Sequence, residues 1–155
     1  MLVLISICPS AYANGQFPET ISQTVSSPAN VVIGSDGSAR FQVTVEVAYR
    51  NLKKGYDILE ISLAHLDLDA GLVDGNVQSS PDPCNSPSAT QIAACSINPP
   101  NSSGNETVTF NVVIPNAKTQ TYQIASWSMV HDSFYSESTS IAAASETVFT
   151  VTVSN

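Results

Sequence analysis

Charge is scarce in this 155-residue chain: 12% of its residues are ionisable Asp, Glu, Lys or Arg, and five basic residues stand against thirteen acidic ones. The formal charge is −8 and the pI about 4.3. A surface of that sign repels phosphate backbones and anionic headgroups, which argues against nucleic acid as a partner. No apolar run approaches the ~20 residues that a spanning helix requires, so no membrane span is expected. Histidine occurs twice, at His65 and His131, too rarely to support a copper site. The cysteines number three and lack the short spacing that zinc ligation favours. No segment carries a helical period, and no nucleophile-elbow glycine pattern accompanies Ser133.

The chain does carry an apolar run at its start, Leu2 to Cys8, closed by Ala11-Tyr12-Ala13. Small-x-small before a cleavage point is the mark of a secretory leader, although the usual Lys or Arg ahead of the apolar stretch is missing. Residues 1–13 are therefore expected to be a cleaved signal peptide and 14–155 one domain, starting at Asn14 and secreted. Cleavage removes Cys8 and leaves Cys84 and Cys95 as an even pair in an oxidising compartment, where they are expected to form a disulfide.

Period-2 alternation dominates the remainder of the chain. Phe41, Val43, Val45, Val47 and Tyr49 share one face of a strand whose other face is Gln42, Thr44, Glu46 and Ala48. Val108, Phe110, Val112 and Ile114 repeat the pattern up to Pro115, and Phe149, Val151 and Val153 repeat it again. Leu59, Ile61 and Leu63 form a further inward row, after which Leu66 and Leu68 imply a phase shift near Ala64-His65. Tyr122 and Ile124 share a face in another strand, and Ile21–Val25 and Val31–Ile33 read as a first strand broken at Pro28. Between Gly71 and Asn105 lies a long connection rich in Pro, Ser and Asn, which the disulfide would order, with Gln91–Ile97 as a short edge strand. The basic residues Arg50, Lys53 and Lys54 read as a solvated turn. The class is all-β, and an immunoglobulin-like Greek-key β-sandwich of about seven antiparallel strands suits this spacing.

Chemistry-bearing motifs are few. Asn101-Ser-Ser103 and Asn105-Glu-Thr107 are acceptor triplets for N-linked glycans in a polar loop. Asp67, Asp69, Asp74 and Asn76 gather hard oxygen ligands of the kind Ca²⁺ takes, set against a plain acidic surface loop. His131-Asp132-Ser133 holds the three residue types of a hydrolytic triad, but consecutive strand residues point to opposite faces and cannot form its relay. No catalytic residue is assigned. Trp127, Phe134, Tyr135, Tyr49 and Tyr56 are the aromatic candidates for a contact surface, set against core packing; Trp127 faces outward if Tyr122 and Ile124 face inward without a bulge, and Phe134 and Tyr135 in the following loop are favoured.

The closing third, Val113-Ile-Pro115, Tyr122-Gln-Ile124, Phe134-Tyr-Ser-Glu-Ser138 and Phe149-Thr-Val-Thr-Val153, resembles the last strands of an immunoglobulin-like or fibronectin-type sandwich. It is also similar to Ser/Thr-rich secreted domains of fungal cell-wall proteins, a likeness that implies a wall or cell-surface setting. The chain closes at Asn155 without the Ser/Thr stalk or apolar tail of an anchored wall protein, which departs from that pattern.

The expected function is non-catalytic: a secreted protein contacting extracellular glycan or a protein surface. Two alternatives stand beside it, a structural subunit self-associating through strand edges and a metal-dependent secreted enzyme.

Overall fold

The structure, a computed structural model, describes residues 18–66, 74–78, 84–85, 91–132 and 141–155. Ten strands run through them: β1 (Thr20–Ser26), β2 (Asn30–Val32), β3 (Ala39–Arg50), β4 (Asp57–His65), β5 (Asp74–Gln78), β6 (Cys84–Asn85), β7 (Gln91–Ile97), β8 (Gly104–Ile114), β9 (Gln120–Asp132) and β10 (Ile141–Ser154). They form a four-stranded sheet in the order β1-β3-β8-β5 and a six-stranded sheet in the order β2-β10-β9-β4-β7-β6. Every pair is antiparallel except β2 with β10. This is an immunoglobulin-like β-sandwich with Greek-key crossings, for β3 neighbours β8 while β4 lies in the opposite sheet. Among the described residues there is no helix, and so none long and apolar enough to cross a membrane.

Alternation decides which side chains fill the space between the sheets. In β3 and β8 the register sets Phe41 opposite Val112, Val43 opposite Phe110 and Val45 opposite Val108. All six are buried, and from the other sheet Leu59, Ile61, Leu63, Ile124, Val130, Val151 and Val153 close against them. Each such side chain contributes roughly 1.5–3 kcal/mol when fully withdrawn from water, which makes the inward rows the main source of stability.

The broken first strand is a change of sheet. β1 pairs with β3, the chain crosses at Pro28, and β2 then runs parallel to the end of β10. The phase shift expected near Ala64-His65 is placed differently. β4 keeps continuous register with β9 through His65 opposite Ile124. The irregularity is in β7, where Leu63 faces Ala93 and Ala64 faces Gln91, so that Ile92 is the extra residue. Because β4 never slips, Leu66 stays on the outward phase and is exposed rather than inward as expected. The long connection contributes β5 and β6, additions to the expected set of about seven strands, and β6 lies outside β7 at the sheet edge.

Two turns are fixed by side chains. Asp36 accepts hydrogen bonds from the Ser38 amide and hydroxyl and pairs with Arg40 at 2.9 Å. The Arg40 bond, then those of Ser38, hold its carboxyl well below the usual carboxylate range. In the turn after β3, Asp57 accepts the Lys53 amide and the Lys53 ammonium lies 3.0 Å from the buried carboxylate of Glu19. The basic cluster is thus only partly a solvated turn, since Lys53 ties the start of the sandwich to it.

Candidate functional site

Strand β9 has six-stranded-sheet neighbours on both sides, and its alternation sorts its residues cleanly. Tyr122, Ile124, Ser126, Ser128 and Val130 face the core and are buried. Ala125, Trp127, Met129 and His131 take the opposite, outer face, as the alternation from Tyr122 and Ile124 requires. Trp127 is partly exposed there.

Register assembles a surface around it. Across β4, β9 and β10 the outer-face rows are Ser62, Trp127 and Glu146; Glu60, Met129 and Ala144; and Ala64, Ala125 and Val148. At the end of the sheet Ile58, His131 and Ile141 form a fourth row. Val148 and Ile141 are 52% and 55% exposed, unusually open for branched aliphatic residues. Glu60 and Glu146 supply negative charge beside the apolar centre, and His131 Nε2 lies 3.6 Å from a Glu60 carboxylate oxygen. The Ser62 hydroxyl, buried beneath this face, donates to the Trp127 carbonyl at 3.4 Å. The face therefore offers an aromatic and aliphatic platform bordered by carboxylates, which is contact chemistry.

Of the residues singled out by sequence, this face contains Trp127 and His131. Phe134 and Tyr135 lie outside the described residues, as do Asp67, Asp69 and Ser133. Asp74 and Asn76 are in β5, with Asp74 opposite Val113 and Asn76 opposite Asn111. Among the described residues no group of three or more His, Cys, Asp or Glu could hold a metal ion. His131 finds an acid across the strand pair, at Glu60. His65, opposite Ile124, is seven positions along β4 from Ile58, which faces His131. That separation is about 23 Å at the rise of a strand, too far for one ion.

Cys84 and Cys95 are directly opposite in β6 and β7 and are joined as a disulfide. Asn101 and Asn105 are both exposed, the first in the bend after β7 and the second near the start of β8. Sequence reasoning missed Glu60, Met129, Glu146, Val148 and Ile141. Alternation marks Glu60, Met129, Glu146 and Val148 as outward, the irregularity between Ile141 and Ala143 turns Ile141 to the same side, and only strand order brings them to one face of one sheet.

No protein-family model and no curated protein matches the chain. Solved structures do. It is similar to a cohesin module from a Clostridium perfringens family 33 glycoside hydrolase, at 8% identity over 85% of this chain and 96% of that one, with a TM-score of 0.49. It is similar to AggA, the major subunit of aggregative adherence fimbriae type I from Escherichia coli, at 12% identity over 92% of this chain and all of the other, with a TM-score of 0.49. A bacterial adhesin from Mobiluncus mulieris matches at 8% identity and a TM-score of 0.50, over 88% of this chain and 58% of that chain. The likeness is one of fold. All three proteins are bacterial, and the expected resemblance to fungal cell-wall domains finds no support in them.

Proposed function

We propose that this chain is a secreted, non-catalytic binding module that holds an extracellular glycan against the outer face of its six-stranded sheet. The observation that carries the reading is the row Ser62, Trp127 and Glu146, in which an outward tryptophan on an interior strand is bordered by a carboxylate. Sugar rings present apolar C–H faces and polar edges, and an aromatic ring with acceptors beside it meets both. The six-stranded sheet supplies the rigidity, since β9 is paired with β4 and β10 on either side of Trp127. Fold-level likeness to an adhesin agrees with a contact role but does not assign the ligand.

The test is a glycan array with the wild-type chain and Trp127→Ala. Binding that falls at least tenfold in the variant, with the melting temperature held within a few degrees, supports the reading; undiminished binding, or no glycan bound by the wild type, sinks it. The exposed triplets at Asn101 and Asn105 are proposed glycan acceptors for a eukaryotic secretory route. An unchanged mobility after glycosidase treatment of material from such a source refutes that assignment.

A further inference from the structure

The basic residues of the chain are Arg40, Arg50, Lys53, Lys54 and Lys118, and none of them lies in a strand of the six-stranded sheet. Arg40 and Arg50 belong to β3 in the other sheet, and the three lysines occupy connections. Arg40 is held by Asp36, and the Lys53 ammonium by Glu19. The strands around Trp127 therefore give their outer face two carboxylates, Glu60 and Glu146, with no Lys or Arg to balance them.

Register sets where these acids stand. Glu146 of β10 is directly opposite Trp127, which leaves the two Cβ atoms about 5 Å apart. Glu60 of β4 is opposite Met129, so it lies diagonally from Trp127, about 7–8 Å away. The indole is thus bracketed by one carboxylate on each neighbouring strand. Glu146 is exposed, and among the described residues no basic side chain pairs with it. Glu60 lies 3.6 Å from His131 Nε2, and His131 sits two rows from the indole, at the end of the sheet.

We infer, resting on the glycan reading above, that the glycan held on this face is a polymer of amino sugars whose free amines are protonated. An ammonium at the edge of a sugar ring stacked on Trp127 comes within reach of Glu146 on one side or Glu60 on the other, as a charge-assisted hydrogen bond requires. The indole face itself attracts a cation. The overall charge of −8 draws a polycation toward the protein from a distance. N-acetylation removes the ligand's charge, and an acidic sugar meets repulsion from the same carboxylates, so the face sorts glycans by sign.

Titration calorimetry of the whole chain tests this with a glucosamine tetramer and its N-acetylated counterpart, at about pH 7 where glutamates are ionised. The free-amine tetramer is expected to bind about tenfold or more tighter. That margin should shrink in about 1 M salt, where the Debye length is ~3 Å. Glu146→Gln should erase most of the margin and leave the N-acetylated tetramer's binding unchanged, while Trp127→Ala weakens both ligands. Equal affinity for the two tetramers, or a margin that Glu146→Gln leaves intact, overturns the amine assignment and leaves the glycan reading standing. Tetralysine bound as tightly as the free-amine tetramer also overturns it, because charge alone would then suffice. A chain that binds neither tetramer but another glycan on the array defeats the amine assignment only; one that binds no glycan defeats both.

Discussion

Gln23 of β1 accepts a 2.7 Å hydrogen bond from the Ser128 hydroxyl of β9, across the interior that separates the two sheets. Its amide carbonyl oxygen also accepts from Ser126, while its Nε2 donates to the Ser126 carbonyl at 2.9 Å and to Thr147 at 3.0 Å. One side chain thus satisfies a polar pocket shared by three strands. Polar groups withdrawn from water are costly only when unpaired, and here each has a partner.

Gln23→Ala is expected to destabilise the fold by about 3 kcal/mol, because the Ser126 and Ser128 hydroxyls stay buried without their acceptor. Replacing all three, as Gln23→Leu with Ser126→Ala and Ser128→Ala, recovers most of that loss, since no polar group is then stranded. Urea denaturation of the single and triple variants measures both. A single variant within about 0.5 kcal/mol of wild type contradicts the assignment.

Gly104, opposite Tyr49 in the β3–β8 register, is required by the ring that covers it. A Cβ at Gly104 would lie 2.7 Å from the Tyr49 hydroxyl oxygen and 3.0 Å from Cζ, and Tyr49 is buried and cannot swing away. Gly104→Ala is expected to cost about 1–3 kcal/mol through overpacking. Tyr49→Phe removes the nearest clash, so a double-mutant cycle of the two should show a favourable coupling; strict additivity is the contrary result.

Burial, and then the nearby Glu106 carboxylate, push the Tyr49 phenol above its ordinary value. The unfolded chain loses this proton at a lower pH than the folded one. Tyr49 therefore contributes in full below about pH 10, and its contribution is lost as pH climbs through the folded value. Thermal melts of wild type and Tyr49→Phe should diverge in alkaline slope, the variant falling less steeply. Asp36 works in the other sense: its contribution is present above the ordinary carboxylate range and lost as acid protonates it, so Asp36→Asn should flatten the acid limb.

Reduction of Cys84–Cys95, which closes a sequence separation of 11, is expected to cost about 2–3 kcal/mol by releasing the unfolded chain. Peptide mapping without reductant should recover the two cysteines in one linked fragment. Two free thiols in the native protein would contradict the pairing, and an unchanged melting temperature after reduction would contradict its weight.

Much of the fold was legible because burial on one face of a sheet imposes a period of two. Phe41 to Tyr49, Val108 to Ile114 and Val151 with Val153 read as inward rows, and they are buried. Leu66 misled because a slip in hydrophobic phase looks the same whether a strand bulges or simply ends its inward run. Here the bulge belongs to β7, whose relation to β4 no local pattern expresses. Gln23 was illegible for a related reason: a buried glutamine is worth placing only when its partners, more than a hundred positions away, are known.

The amino-acid order alone determined the alternation of each strand, the turns that stop it, the ion-poor acidic surface and the pairing of Cys84 with Cys95. Those properties are local or compositional, and they need no neighbour to be true. Tertiary structure alone decided that Trp127, Glu146 and Val148 come to one face, that Gln23 ties the sheets, and that β10 keeps an open edge beside the short β2. Each of these depends on strand order and register, which are set by long-range burial and leave no mark in any single segment.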